Sequence, residues 1–120
     1  MVNIEEIDKA ISAHGMWKQR LKSAIETGNS EFNVGKVTLD NACDFGKWLY
    51  TLDPDIKLTE SWKTIQKYHA EFHKVAANIL DLALKGKKEE ASKGISLGSE
   101  YASISGKLTT AMMKWKRELA

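Results

Sequence analysis

Residues 59–84 read TESWKTIQKYHAEFHKVAANILDLAL, and this stretch decides the fold class. Trp62, Ile65, His69, Phe72, Ala76, Ile79, Leu80 and Ala83 recur at three- and four-residue intervals, so they share one face of a helix that Thr59 caps and that runs to about Leu84. Lys85-Gly86-Lys87 supplies the stop. His69 and His73 lie four residues apart, which stacks their imidazoles one turn above the other on the same face, within reach of a single ion.

Beyond that stop, Ala91, Ile95, Gly98, Tyr101, Ser105, Leu108, Met112, Trp115 and Leu119 predict one long helix from Lys88 to Leu119. Gly94, Gly98, Ser105 and Gly106 weaken it and also permit close approach of another backbone, which makes it the expected place for a homodimer contact. Before residue 59, Asp53-Pro54-Asp55 closes a shorter helix of roughly 39–52 holding Leu39, Ala42, Cys43, Phe45, Gly46, Trp48 and Leu49. These are too many apolar residues for one exposed side, and they wedge the segment between longer helices. Residues 28–37 carry Gly, Asn and Ser without periodicity and read as a loop. From about 4 to about 27, Ile4, Ile7, Ile11, Trp17, Leu21 and Ile25 mark the first amphipathic helix, with His14 on its apolar stripe and Gly28-Asn29 at its end. Three long helices and one short one predict an all-α fold, an antiparallel four-helix bundle with side chains projecting inward from facing helices.

A chain of 120 residues with 42% hydrophobic content predicts one domain over residues 1–120. With 18 Lys and Arg against 16 Asp and Glu, the net charge of +2 provides no strong field, so neither nucleic acid nor a membrane surface is an expected partner. The N-terminal residues lack the pattern of a secretory signal and no apolar run reaches membrane-spanning length, which predicts a soluble, cytoplasmic protein. A lone cysteine cannot form an internal disulfide, leaving Cys43 as an inert thiol, a metal ligand or a reactive group.

The chain has three histidines and one cysteine, and each lies in a predicted helix on or beside its apolar side. Imidazole and thiolate are preferred zinc ligands, and His14, Cys43, His69 and His73 together make a closed tetrahedral set with no position for water or substrate. Such donors disfavour Mg²⁺ and Ca²⁺, whereas Cu²⁺ would also bind them. Zinc as the cofactor removes the cost of burying three histidines without partners, about 1–3 kcal/mol each. Asp40, Asp44 and Glu71 are candidates to accept hydrogen bonds from the imidazoles' second nitrogens.

His14-Gly15-Met16-Trp17, Cys43-Asp44-Phe45-Gly46-Lys47-Trp48 and His69-Ala70-Glu71-Phe72-His73 resemble, in order and spacing, the His-x-x-Trp, Cys-x-(Leu/Phe)-Gly-x-Trp and His-x-x-x-His motifs of the chemoreceptor zinc-binding domain family. That family is found on bacterial cytoplasmic chemoreceptors and on zinc-controlled diguanylate cyclases. The resemblance covers residues from about 5 to 115 and implies a zinc-binding four-helix bundle that often dimerises, with His14, Cys43, His69 and His73 as its metal ligands. The chain shows no receptor signalling hairpin and no Gly-Gly-Asp/Glu-Glu-Phe cyclase signature, so it is either a domain of a larger protein or works alone, and the signalling partner that the resemblance implies is an output domain such as a chemoreceptor or diguanylate cyclase. Trp17 and Trp48, inside the motifs, are expected to wall the site, and Gly46 to admit a neighbouring helix or ligand.

The function expected is sensory: detection of zinc availability through occupancy, or of an oxidant such as hypochlorous acid through a zinc-bound thiolate, in chemotaxis or cyclic-di-GMP signalling. The alternative is a structural, zinc-stapled dimerisation bundle. No nucleophile–base pair, phosphate-cradling glycine loop or open metal position can be assembled, so no enzyme is expected.

Overall fold

The computed structural model describes residues 3–41 and 43–119. Among these, every regular element is helical: α1 (Ile4–Gly15), α2 (Trp17–Thr27), α3 (Val34–Thr38), α4 (Asp44–Tyr50), α5 (Pro54–Lys57), α6 (Glu60–Leu84), α7 (Lys88–Gly94) and α8 (Glu100–Leu119). α1 and α2 form the first rod, α6 the third and α7 with α8 the fourth. The short helices α3, α4 and α5 take the place of the second. α8 and α7 pack back along α6, α1 lies on α8 and α4, and α2 lies on α6 and α7, so the all-α bundle runs up and down in chain order.

The central helix is the one its periodicity predicts. Thr59 caps it by accepting from the Trp62 N–H, and Trp62, Ile65, His69, Phe72, Ala76, Ile79, Leu80 and Ala83 are all buried. Ile7, Leu21, Leu49, Leu108 and Met112 reach the same core from the surrounding helices and are almost completely excluded from solvent.

Four boundaries differ from the sequence reading. The first rod is two helices, joined at Met16 by a turn whose backbone angles stay helical (φ −73°, ψ −17°). The predicted 28–37 loop contains α3, which Asn33 caps by accepting from the Lys36 N–H, a local bond that hydrophobic periodicity cannot register. The helix expected over 39–52 begins only at Asp44, with Leu39 extended and exposed, Cys43 as the cap and Ala42 outside the described residues. Pro54, placed at the start of a helix where its missing N–H costs nothing, opens the extra turn α5.

The last helix is also interrupted. Gly98 adopts φ +82°, a left-handed conformation that ends helical propagation, and Ser99 accepts from the Ala102 N–H to start α8 afresh. The core face keeps its register across this break, with Ala91, Ile95, Tyr101, Leu108, Met112 and Trp115 buried as expected, while Ile104 is buried and Ser105 only half-buried.

Gly46 fixes the approach to Cys43. A Cβ there would lie 1.7 Å from the Asp40 carbonyl oxygen and 2.8 Å from its carbon, so the expected close neighbour is the 40–41 backbone rather than a helix or ligand. Main chain cannot rotate away as a flexible side chain would. Gly46→Ala is therefore predicted to destabilise the protein by about 1–3 kcal/mol, read from urea denaturation; an unchanged midpoint would refute the contact.

Candidate metal centre

His69 and His73 project from the middle of α6 with their Nε2 atoms 3.0 Å apart. Cys43, at the N-cap of α4, places Sγ 3.3 Å from His69 Nε2 and 3.5 Å from His73 Nε2. His14 comes from the end of α1, with its ring centroid 5.0 Å from that of His69 and 5.9 Å from that of His73. All four residues singled out in the sequence thus converge, and one donor atom from each lies within 4.8 Å of the others. The three histidines are buried and Cys43 is half-buried.

The proton count shows what the cluster can do. His14 Nδ1 lies 2.7 Å from the Ala10 carbonyl oxygen, and His73 Nδ1 lies 2.8 Å from that of Val37. A carbonyl only accepts, so both Nδ1 atoms carry the proton and both Nε2 atoms turn a lone pair toward the cluster. The remaining protons, one on the thiol and one on His69, can serve Cys43 Sγ, His69 Nε2 and His73 Nε2, which lie within 3.5 Å of one another, but neither reaches His14. His14 Nε2 is buried with no hydrogen-bond partner, as is His69 Nδ1. One cation would satisfy all four residues: tetrahedral zinc, with metal–nitrogen and metal–sulfur bonds of ordinary length, separates its ligands by about 3.3–3.6 Å. The observed 3.0, 3.3 and 3.5 Å separations fall near this range, and the donor set fits zinc.

Electrostatics agree with a site built for a cation and not for protons. Burial holds His14 down to about 4, with nearby His73 and Arg20 adding to the effect and its bond to Ala10 opposing it. Burial also takes His69 down to about 2, helped by His73 and His14, and lowers His73 against the opposing Val37 bond. The Cys43 thiol is pushed up by burial, partly countered by main-chain N–H groups such as that of Gly46, whose nitrogen is 3.3 Å from Sγ. Near neutral pH the four donor groups are uncharged, and a zinc ion binding here would have one proton to displace.

The hydrogen-bond acceptors for His14 and His73 are main-chain carbonyls, and not Asp40, Asp44 or Glu71. Side-chain chemistry could not have pointed to Ala10 or Val37. The walls also differ from the expected pair of tryptophans. Phe45 meets His14 and His69 edge-on at 5.8 and 5.1 Å, and Phe72 meets His14 at 5.2 Å. Trp48 backs Phe45 at 5.7 Å and touches Trp115 at 6.0 Å, while Trp17 packs on Phe32 at 5.1 Å with the Arg20 guanidinium over both rings. A cleft of about 700 Å³ bordered by Trp17, Phe32 and Phe45 reaches His14, Cys43 and His73 but not His69.

The family model of the chemoreceptor zinc-binding domain matches residues 14–80, more than half of the chain and all four clustered residues. No curated protein and no solved structure matches it.

Because only the thiol must lose a proton, the apparent zinc affinity is predicted to rise with pH, with a slope of about one in log K per pH unit between roughly pH 7 and 8. Competition with a chromophoric chelator measures it. A slope of zero would mean a thiol already ionised, and a slope of two a histidine that also gives up a proton.

Proposed function

The chain belongs to the chemoreceptor zinc-binding domain family, and from that premise we propose that His14, Cys43, His69 and His73 ligate one zinc ion in a closed site and that the protein is a zinc-dependent sensory module. The observation that carries the reading is the convergence of four donor atoms within 4.8 Å, with two imidazole lone pairs directed inward by main-chain carbonyls. Four protein ligands leave no open coordination position for a substrate, which supports a regulatory role over a catalytic one.

Zinc bound here would join three separate segments, α1, the start of α4 and α6, so occupancy is a natural signal: its loss releases α1 and α4 from α6. The same centre supports oxidant sensing. Cys43 lines the cleft and is the most exposed of the four ligands. A thiolate held by zinc here would attack the oxygen of hypochlorous acid and displace chloride, giving the sulfenic acid directly, or attack its chlorine and displace hydroxide, giving a sulfenyl chloride that water hydrolyses to the sulfenic acid and chloride; either product would be a weaker zinc ligand than the thiolate. The module would act in the bacterial cytoplasm as a homodimer and pass its state to a chemoreceptor or diguanylate cyclase output domain. Among the described residues, no helix is long and apolar enough to cross a membrane.

Elemental mass spectrometry of tag-free protein is expected to find close to one zinc and no copper per chain, retained after dialysis and lost in His69→Ala. A metal-free wild type after zinc addition would overturn the reading. Cys43→Ala should weaken zinc retention while the helical circular dichroism stays intact; collapse of the fold would favour the structural staple.

For the oxidant branch, limiting hypochlorous acid should modify Cys43 before Met16 or Met113, although these methionines are 56% and 49% exposed. Peptide mass spectrometry decides, and earlier oxidation of either methionine would reject that branch.

A further inference from the structure

We propose that Asp40, Tyr50 and Gln66 form a clasp that holds the Cys43 loop against α6 and sets how fast the bound metal leaves, an inference that rests on the zinc site proposed above. Tyr50, the last residue of α4, donates its hydroxyl hydrogen to Asp40 Oδ2 and accepts from Gln66 Nε2 at 3.2 Å. Asp40 is bound at its other end too. Its main-chain oxygen sits over Gly46, and the same oxygen is 3.9 Å from Cys43 Sγ. One residue thus connects the thiol seat to the far end of α4.

The anchor of this connection is rigid. Gln66 stands three residues before His69 on α6, so the clasp and two of the proposed ligands share one long helix. Beside it, Trp62 meets the Tyr50 ring at 5.9 Å, and its Nε1–H donates to the Leu49 carbonyl at 3.0 Å. The 40–50 segment is therefore tied to α6 at its Tyr50 end by hydrogen bonds, and at its Cys43 end by whatever joins Sγ to His69 and His73. Leu39, just outside the clasp, is 52% exposed and contributes little to holding the loop.

Tyr50 keeps the Asp40 carboxylate, and with it the loop that seats Cys43, in place by donating to it. Partners that orient ligands in this way typically change metal affinity by about 10- to 100-fold when removed.

Tyr50→Phe tests the clasp because it keeps the ring and its packing on Trp62 while deleting both hydroxyl bonds. Zinc-loaded full-length protein would be mixed with excess chromophoric chelator in a stopped-flow instrument, with zinc content and the melting temperature of the metal-free form measured in parallel. Tyr50→Phe is expected to carry zinc at the wild-type stoichiometry, to melt like wild type without metal and to release zinc about 10-fold faster. Asp40→Ala, which deletes the acceptor altogether, should release it at least as fast. Release from Tyr50→Phe at the wild-type rate overturns the clasp, as does a metal-free melting temperature lowered enough to make the role merely structural. If Tyr50→Phe does not fold, Asp40→Ala decides by the same rate. A wild type that holds no zinc removes the parent reading, whereas a zinc-loaded wild type with unaltered variants removes the clasp alone.

Discussion

Two ring N–H groups that donate to main-chain carbonyls, His14 to Ala10 and His73 to Val37, determine which face of each imidazole the interior sees. With the proton on Nδ1, the lone pair on Nε2 must point at the cluster, and burial keeps both rings neutral so that the lone pair stays free. The two bonds have different structural requirements. Ala10 lies one turn before His14, so an intact α1 is sufficient. Val37 belongs to α3, and His73 is oriented only if that short helix lies on α6. A five-residue helix inside an apparently irregular stretch is therefore as necessary to the site as the long helix bearing two of the histidines.

Cys43 depends on a different constraint. Its sulfur replaces the usual oxygen at a helix N-cap, accepting from the Gly46 N–H, and Gly46 in turn fits beneath the Asp40 carbonyl only because it has no side chain. The thiol is thus held by a folded-back loop rather than by a long helix. Phe45, two residues beyond Cys43, presents its edge to His14 and His69, and Phe72 packs on His14. In such surroundings the unpartnered lone pair on His14 Nε2 costs about 1–3 kcal/mol, which a cation at the cluster would recover.

Much of this organisation is legible in the residues. The apolar spacing along 60–84 marks α6 because a long, half-buried helix must repeat its core face every three to four residues. The four candidate donors are legible because histidine and cysteine are few and the three histidines fall on such faces, although Cys43 reaches the cluster from the cap of α4 and not from a helix face. What periodicity could not reveal rests on single hydrogen bonds or on backbone shape. The Asn33 cap of α3, the Gly98 break between α7 and α8 and the carbonyl partners of His14 and His73 leave no mark in a hydrophobic pattern. Gly46 stood out as a residue needing room, but its neighbour, the Asp40 carbonyl, comes from a loop whose path is set by tertiary packing. The tryptophans misled for a related reason: motif position places Trp17 and Trp48 near the ligands in sequence, whereas the helix geometry gives the inner layer to Phe45 and Phe72.

Whether metal in such a bundle acts as a switch or as a staple depends on how much of the core exists without it. Ile7, Leu21, Ile65, Leu80, Leu108 and Met112 are almost fully buried outside the cluster, and each contributes roughly 1.5–3 kcal/mol from burial. That core ties α1, α2, α6 and α8 together through contacts that include none of the four donors. α4 is different, being seven residues long and far too short to be stable as an isolated helix. Its attachment uses Phe45 and Leu49, the packing of Trp48 on Trp115 and of Gly46 under the Asp40 carbonyl, Trp62, the Tyr50 hydrogen bonds and Cys43. Removing a shared ion would therefore weaken α4 more than the rods. The donor least constrained by the core also lines the cleft and holds the thiol proton, so a cation held at Cys43 would bear on the attachment of α4 more than on that of the rods.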